Sequence, residues 1–264
     1  MIEARGLTVT FGRGTPLETV ALAGIDLAIP AGEFVTVIGS NGAGKTTLLN
    51  AIAGEVEIDR GSLAIDGQEV TRWPAARRAA LIACVFQDPL AGTCEALTVE
   101  ENLALAFGRG RRRGLSLAID RTARARFMER LEPLGLGLER RLSDRIGLLS
   151  GGQRQVVSLI MATLAPMRIL LLDEHTAALD PRIAAFVLDL TRKLVAEGGL
   201  TALMVTHSMR QALDCGTRIL MMHEGRVVLD IAGAERRAMD VPDLVALFER
   251  VRGERLADDA LLLS

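Results

Sequence analysis

Gly39-Ser40-Asn41-Gly42-Ala43-Gly44-Lys45-Thr46 is the stretch that decides how this chain is read. It follows an apolar, β-branched run, Phe34-Val-Thr-Val-Ile38. It opens a helix-like segment, Thr46-Thr47-Leu-Leu-Asn-Ala-Ile-Ala53, that stops at Gly54. Strand, glycine loop and helix in that order are the context a phosphate-binding loop needs. Glycines let successive backbone N–H groups approach an anion with no side chain in the way. The helix start adds unpaired donors and the positive end of its dipole. Lys45 supplies a mobile point charge for β/γ phosphates, and the Thr46 hydroxyl is a hard oxygen ligand for Mg²⁺. A glycine-rich turn that only caps a helix is the plainer reading, and both flanks count against it. The stretch predicts a nucleotide site.

Working outward, 264 residues allow one large or two small domains and a generous core. Apolar residues make up 49% but aromatics only 3%, so that core must be aliphatic. With 31 basic and 33 acidic residues the charge is balanced, which argues against a nucleic-acid partner bound through a basic face. The most apolar run, Val156 to Leu172, is interrupted by Ser158, Thr163, Pro166 and Arg168, so no membrane span is expected. Met1-Ile-Glu-Ala-Arg-Gly6 does not read as a secretory signal. Cys84, Cys94 and Cys215 are widely spaced and read as reduced thiols of a cytosolic protein.

Strands are expected over 2–11, over Val20–Ile29 and in a hairpin turning at Asp66-Gly67, forming an antiparallel layer beside the nucleotide strand. A short buried strand, Leu81–Phe86, ends at Gln87-Asp-Pro89. From there to about Leu164 the periodicity is helical, with segments Leu97–Phe107 and Ile119–Leu134. The run Arg109-Gly-Arg-Arg-Arg113 between them reads as a solvated loop, ahead of contact with anionic lipid headgroups. Next come a buried strand Ile169–Leu172, a helix Arg182–Ala196, a strand Thr201–Thr206 and a helix Met209–Asp214. A hairpin turns at Glu224-Gly225. A last helix, Asp243–Val251, is expected to end at Gly253. Ala257–Ser264 reads equally as a mobile tail or a docked strap.

Chemistry-bearing residues cluster at strand ends. Asp173 and Glu174 follow the Ile169–Leu172 strand, where ligands of open parallel sheets bind. One such carboxylate can hold Mg²⁺, and the next can orient and deprotonate an attacking water. Taken alone, an Asp-Glu pair is more often a helix-start signal; the upstream phosphate loop favours the catalytic reading. His207 sits at the same kind of edge and reads as a γ-phosphate contact, whereas His175 and His223 read as structural. Ser150-Gly151-Gly152-Gln153 reads two ways. It is a capping box opening a helix, and it is a second anion-binding helix start. A symmetric dimer gives the second reading a use: each Ser150 turn could close over the nucleotide held by the partner's Lys45 loop.

Gly39–Thr46, Gln87, Leu149-Ser-Gly-Gly-Gln153, Leu170-Leu-Leu-Asp-Glu174, Ala178-Leu-Asp180 and His207 occur in an order and spacing that resembles the ATP-binding subunit of ABC transporters. The resemblance covers essentially the whole chain. It implies an α/β, P-loop NTPase fold: a RecA-like core with an antiparallel β subdomain and an inserted helical subdomain. Residues 1–264 would form one such domain, the helical part at about 89–164 and a C-terminal helix and tail at about 240–264. The implied cofactors are ATP and Mg²⁺. By the resemblance Phe11 stacks on adenine, and Thr47 belongs with Gly39–Thr46 to the nucleotide-binding set. Thr46, Gln87 and Asp173 hold the metal, and Gln87 also couples the site to a membrane subunit. Glu174 is the general base, with Lys45, Gln87 and His207 counted among the catalytic groups. Ser150–Gln153 and Asp180 act across a homodimer formed on ATP. The implied partners are an integral-membrane permease and a separate solute-binding protein, at the cytoplasmic face of the membrane, with no nucleic acid. His175 and Ala177 depart from the family's common Pro and Ser, and neither change removes a catalytic group. The wording Asp173–Asp180, the Gly14-Thr-Pro16 loop and the Gly253–Asp259 end resemble a bacterial tryptophan/tyrosine-type uptake subgroup, which makes an importer of a small, amino-acid-like solute the expectation. An export subunit, or an ATPase of this fold acting on ribosomes or DNA, is the alternative.

Overall fold

The computed structural model describes residues 2–110 and 119–262, without the side chains of 251, 252 and 254–262. In chain order the elements are β1 (Ile2–Phe11), β2 (Thr19–Ile29), β3 (Phe34–Gly39), α1 (Lys45–Ala53), β4 (Arg60–Ile65), β5 (Gln68–Glu69), α2 (Ala75–Arg78), β6 (Ile82–Val85), α3 (Val99–Phe107), α4 (Arg121–Leu131), α5 (Gly151–Leu164), β7 (Ile169–Asp173), α6 (Pro181–Gly198), β8 (Thr201–Val205), α7 (Met209–Cys215), β9 (Arg218–His223), β10 (Arg226–Ala232), α8 (Gly233–Ala238) and α9 (Val241–Leu262). They divide into two units, residues 1–72 with 201–264 and residues 73–200.

The first unit holds an antiparallel sheet in the order β2-β1-β4-β5 and strands ordered β10-β9-β3-β8. In the second set β3 lies parallel to both β8 and β9, while β9 and β10 form an antiparallel hairpin. Strand β3 is buried along Phe34–Ile38 and reads as a continuous apolar run, as a strand covered on both faces must. Helix α1 buries Leu48, Leu49, Ala51 and Ile52, and Gly54 closes it in the left-handed conformation. Ile38, Ala212, Ile219, Met221, Ile231 and Leu244 form an aliphatic cluster, with Leu247 and Phe248 of α9 packed on it. Both expected hairpins form. Asp66-Gly67 and Glu224-Gly225 all have positive φ, as a primed two-residue turn demands.

In the second unit β6 and β7 pair in parallel from Ile82↔Ile169 to Val85↔Leu172. Thr98 and Ser150 start α3 and α5 with full capping boxes. Phe127 of α4 is fully buried and meets Phe107 edge-on with ring centroids 6.2 Å apart.

Three expectations need correcting. Helix α9 does not stop at Gly253 but continues to Leu262. A mid-helix glycine costs only about 1 kcal/mol against alanine, and the residues after it (Glu-Arg-Leu-Ala) are good helix formers. The helical stretch up to Leu164 is broken by short 3₁₀ turns at Glu132–Leu134, Leu138–Arg140 and Ile146–Leu148, set among Pro133, Gly135, Gly137 and Gly147. Arg109, the first residue of the basic run, is not a solvated loop residue. Its Nη2 donates to the Ala162 carbonyl of α5 at 2.8 Å, and burial lowers its pKa. Arg111–Arg113 lie outside the described residues, as do Leu263 and Ser264.

His175 is a core residue, 2% exposed. The Thr191 hydroxyl donates to the Val187 carbonyl at 2.8 Å, so it accepts from His175 Nε2, 3.1 Å away. Burial holds the imidazole neutral, its pKa pushed down from 6.5 to about 4. The unfolded chain therefore takes up a proton between those values that the folded chain refuses, so this contribution to stability is complete above pH 6.5 and lost as pH falls toward 4. The full loss is about 3 kcal/mol. His175→Gln is expected to flatten this acid limb in denaturant titrations between neutral pH and pH 4.5, while an unchanged slope would refute the assignment.

Candidate functional site

The first unit carries the glycine loop. Strand β3 ends at Gly39 and α1 begins at Lys45, with left-handed Gly44 as its N-cap, which offers no side-chain cap bond. A helix start capped by a bare glycine in this way suits an external anion. Two glycines are compelled by crowding. A Cβ on Gly39 would stand 2.2 Å from the Met222 carbonyl oxygen, and one on Gly44 would stand 2.4 Å from that of Ala21. Gly42 also has positive φ, in open space. The hairpin of β9 and β10 braces the loop from behind, Gly225 N donating to the Ala43 carbonyl at 3.1 Å.

Lys45 lies back across its own loop, Nζ donating to the Gly39 and Ser40 carbonyls at 2.9 Å each, with the side chain largely buried. Its charge therefore sits at the mouth of the cradle. Asn41, Gly42 and Thr46 are exposed, Ser40 and Thr47 half-buried, and Ala43 buried. Thr206 N donates to the Val37 carbonyl at 3.2 Å, which puts the next residue, exposed His207, at the edge where β3 delivers Gly39. The strand itself ends at Val205, one residue earlier than the sequence suggests. The Thr206 hydroxyl accepts from Ser208 N and donates to Gln211 Oε1, which shapes the bend holding His207. Phe11 closes β1 opposite Thr19 and is 46% exposed.

The second unit gathers its candidates at the matching strand ends. Because Val85 pairs with Leu172, Gln87 and Asp173-Glu174 leave β6 and β7 side by side. Asp173 and Glu174 are half-buried, and Gln87 is exposed. Glu174 has a φ of 45°. The other described non-glycine residues with positive φ, Asp66 and Glu224, sit in hairpin turns before glycine; Glu174 does not. Such backbone costs about 1–3 kcal/mol and concentrates at functional positions. No helix starts at Asp173-Glu174, so the plain reading of that pair as a helix-start signal is not realised.

Ser150 caps α5 as expected. Its Oγ accepts from Gln153 N at 3.3 Å, while Gln153 Oε1 accepts from Ser150 N at 3.2 Å. The two glycines between them have different reasons. A Cβ on Gly152 would lie 2.5 Å from Ile183 Cγ2, so close packing on α6 demands glycine there. Gly151 has nothing within 4 Å, and packing inside the chain gives no reason for it. Asp180 caps α6, Oδ1 accepting from Ile183 N at 3.1 Å, ahead of Pro181.

The donor chemistry of each unit fits MgATP. In the first, a glycine cradle with a bare cap suits phosphates and the Thr46 hydroxyl is a hard oxygen; in the second, Asp173 and Gln87 offer the hard oxygens that Mg²⁺ prefers. Sequence reading missed the supports: the Gly225 brace, the Thr206 bend and fully buried Gln155, whose Nε2 donates to the Phe86 carbonyl at 3.3 Å. Only Gln155 left a signal, as a polar residue directly before the apolar stretch of α5 that begins at Val156.

The ABC transporter family matches residues 22–177. A tyrosine transport ATP-binding protein of Clostridioides difficile is 40% identical over 94% of this chain and 99% of its own. A thiamine import ATP-binding protein of a Chelativorans species is 36% identical over 87% of each chain. Among solved structures, a dimeric ATP-binding cassette in a post-hydrolysis state with ADP and Pi superposes with a TM-score of 0.77 at 30% identity, covering 88% of this chain and 98% of that one. A second dimeric structure, of a bacterial ABC transporter cassette, gives 0.77 at 31%. A P-loop of this build, with a serine-capped glycine helix start and paired carboxylates after a buried strand, together with these relatives, means that the chain belongs to the ABC transporter family and is an ATPase that uses ATP with Mg²⁺.

Proposed function

We propose that this chain is the ATP-hydrolysing subunit of an importer, that it pairs with a second copy on binding MgATP, and that it drives a separate integral-membrane permease. The observation that carries the reading is Gly151, a glycine beside the Ser150 cap with open space where its side chain would be. A surface that keeps itself bare at a helix N-terminus suits an anion delivered from outside the chain. Two dimeric structures of one solved cassette support that pairing. The curated relatives named for tyrosine transport and thiamine import support import of a small solute, and we infer an amino-acid-like one.

In this reading the whole chain acts as one ATPase domain, with its helical part at about 89–164. Lys45 and the N–H groups of Gly39–Thr47 bind the triphosphate of one nucleotide, and Phe11 offers its exposed ring to the base. Thr46, Asp173 and Gln87 hold Mg²⁺, which when bound neutralises charge on the phosphates. Glu174 takes the proton of the attacking water, and its left-handed backbone fixes where the carboxylate starts. His207 contacts the γ-phosphate. Ser150–Gln153 and Asp180 serve the nucleotide bound to the partner copy.

No described helix is long and apolar enough to cross a membrane. In this reading the permease is a different polypeptide, and the subunit works at the cytoplasmic face with a separate solute-binding protein completing the system. A cavity of about 490 Å³, lined by Cys84, Gly92, Leu105, Ala106, Arg109 and Met161, flanks the Gln87 loop and suits a short apolar element of that permease. Leu105 is 48% exposed there.

Glu174→Gln should lower phosphate release at least about a hundredfold while keeping ATP affinity, and should accumulate an ATP-bound dimer. Normal phosphate release would contradict the base assignment. Ser150→Arg is expected to abolish ATP-dependent dimerisation on a sizing column with monomer ATP affinity nearly intact; an unaltered dimer fraction overturns the pairing. Leu105→Glu should spare turnover of the isolated chain yet reduce recovery of the membrane subunit from mild detergent. Equal recovery would remove the cavity from the docking surface.

A further inference from the structure

Gln155 is fully buried, yet it is polar and lies in the first turns of α5, the helix that Ser150 caps. Its Nε2 donates to the carbonyl of Phe86, the residue before Gln87. Its Oε1 is buried and accepts no hydrogen bond from a described residue. Leaving a buried acceptor unpaired costs about 1–3 kcal/mol, so stability alone would favour an apolar side chain at this position. One turn along α5, buried Ser158 borders the same loop. A Cβ added to Gly92 would stand 3.3 Å from both Phe86 Cδ2 and Ser158 Oγ, tighter than ordinary contact, so Phe86 and Ser158 flank the bare face of Gly92.

Residues 86 and 92 are the two ends of the Gln87 loop. Between them the loop bonds to itself: Asp88 Oδ1 accepts from Leu90 N at 2.9 Å, and the Asp88 carbonyl accepts from Ala91 N at 3.0 Å. Both ends of a self-contained loop thus rest on one face of α5, at positions 155 and 158, which are neighbours on a helix surface.

We infer that Gln155 is a positioning residue for Gln87, fixing the base of its loop to the helix that presents the Ser150 turn. Its amide donor sets the Phe86 carbonyl, the peptide bond that follows sets the start of Gln87, and Gly92 permits the approach that seats the other end. The loop and the Ser150 helix start consequently move as one piece. This rests on the assignment of Gln87 to the Mg²⁺ site proposed above.

A double-mutant cycle on the full-length chain tests it. Gln155→Met keeps length and removes the donor together with the unpaired acceptor. We expect unchanged or higher thermal stability, an ATP KM near that of the parent and a kcat lowered about tenfold, the scale seen for outer-shell partners of metal ligands. We also expect amide hydrogen exchange across residues 87–92 to quicken about tenfold without nucleotide, the rest of α5 being unaffected. In the Gln87→Ala background Gln155→Met should cost no further turnover. Additive losses, or parental exchange in residues 87–92, overturn the inference. If Gln87→Ala alone turns over like the parent, the assignment of Gln87 is what fails, and the inference falls with it. Should Gln155→Met melt below the parent, the same cycle with Gly92→Ala, which crowds the loop from its other end, decides by the same criteria.

Discussion

An α-helix begins with N–H groups that have no partner inside the helix, and most helices give them a side-chain oxygen. Helix α1 does not: its N-cap is a left-handed glycine with no side-chain bond. Much of the first unit is arranged around that omission. Strand β2 presses the Ala21 carbonyl, and β9 the Met222 carbonyl, so close that only glycine fits at positions 44 and 39. The turn between β9 and β10 holds Ala43. Lys45, folded back on two loop carbonyls, keeps positive charge beside the helix start. A cradle held this firmly needs little reorganisation when an anion arrives, which is what gives such a site its strength.

The second unit departs from maximal stability in a few places and gathers most of them near strand ends. Glu174 carries left-handed backbone without glycine's freedom, directly after a strand that is buried through Leu172. Gln155 keeps an unpaired acceptor in the core. Against these costs stand two complete capping boxes, on α3 and α5, each worth about 1 kcal/mol. Burial of His175 is tolerated only while the ring stays neutral, which favours the folded state at neutral pH over acid.

Much of this was legible in the chain of letters, for reasons that are local. A strand feeding glycines and a lysine, a serine three residues before a glutamine, and Asp-Gly or Glu-Gly between apolar runs each act through bonds a few residues long. Those short-range rules placed α1, α5 and both hairpins. They failed where a weak local signal met a stronger context. Gly253 looked like a helix end and is carried through, because its neighbours favour helix by more than one glycine opposes it. Arg109 looked solvated and is held by a carbonyl 53 residues away.

By itself the sequence determined the class of fold, the phosphate loop and the residue types available for chemistry, since these depend on spacing, backbone freedom and the capacity of side chains to donate, accept or ionise. The packed fold was needed to explain particular glycines. Gly39, Gly44 and Gly152 are crowded by atoms from distant strands and helices, whereas a Cβ on Gly151 would meet no described atom within 4 Å. It also decided that Gln155 lies under the Gln87 loop. Those facts depend on pairs of residues far apart in sequence, and proximity of that kind exists only once the strands and helices have packed.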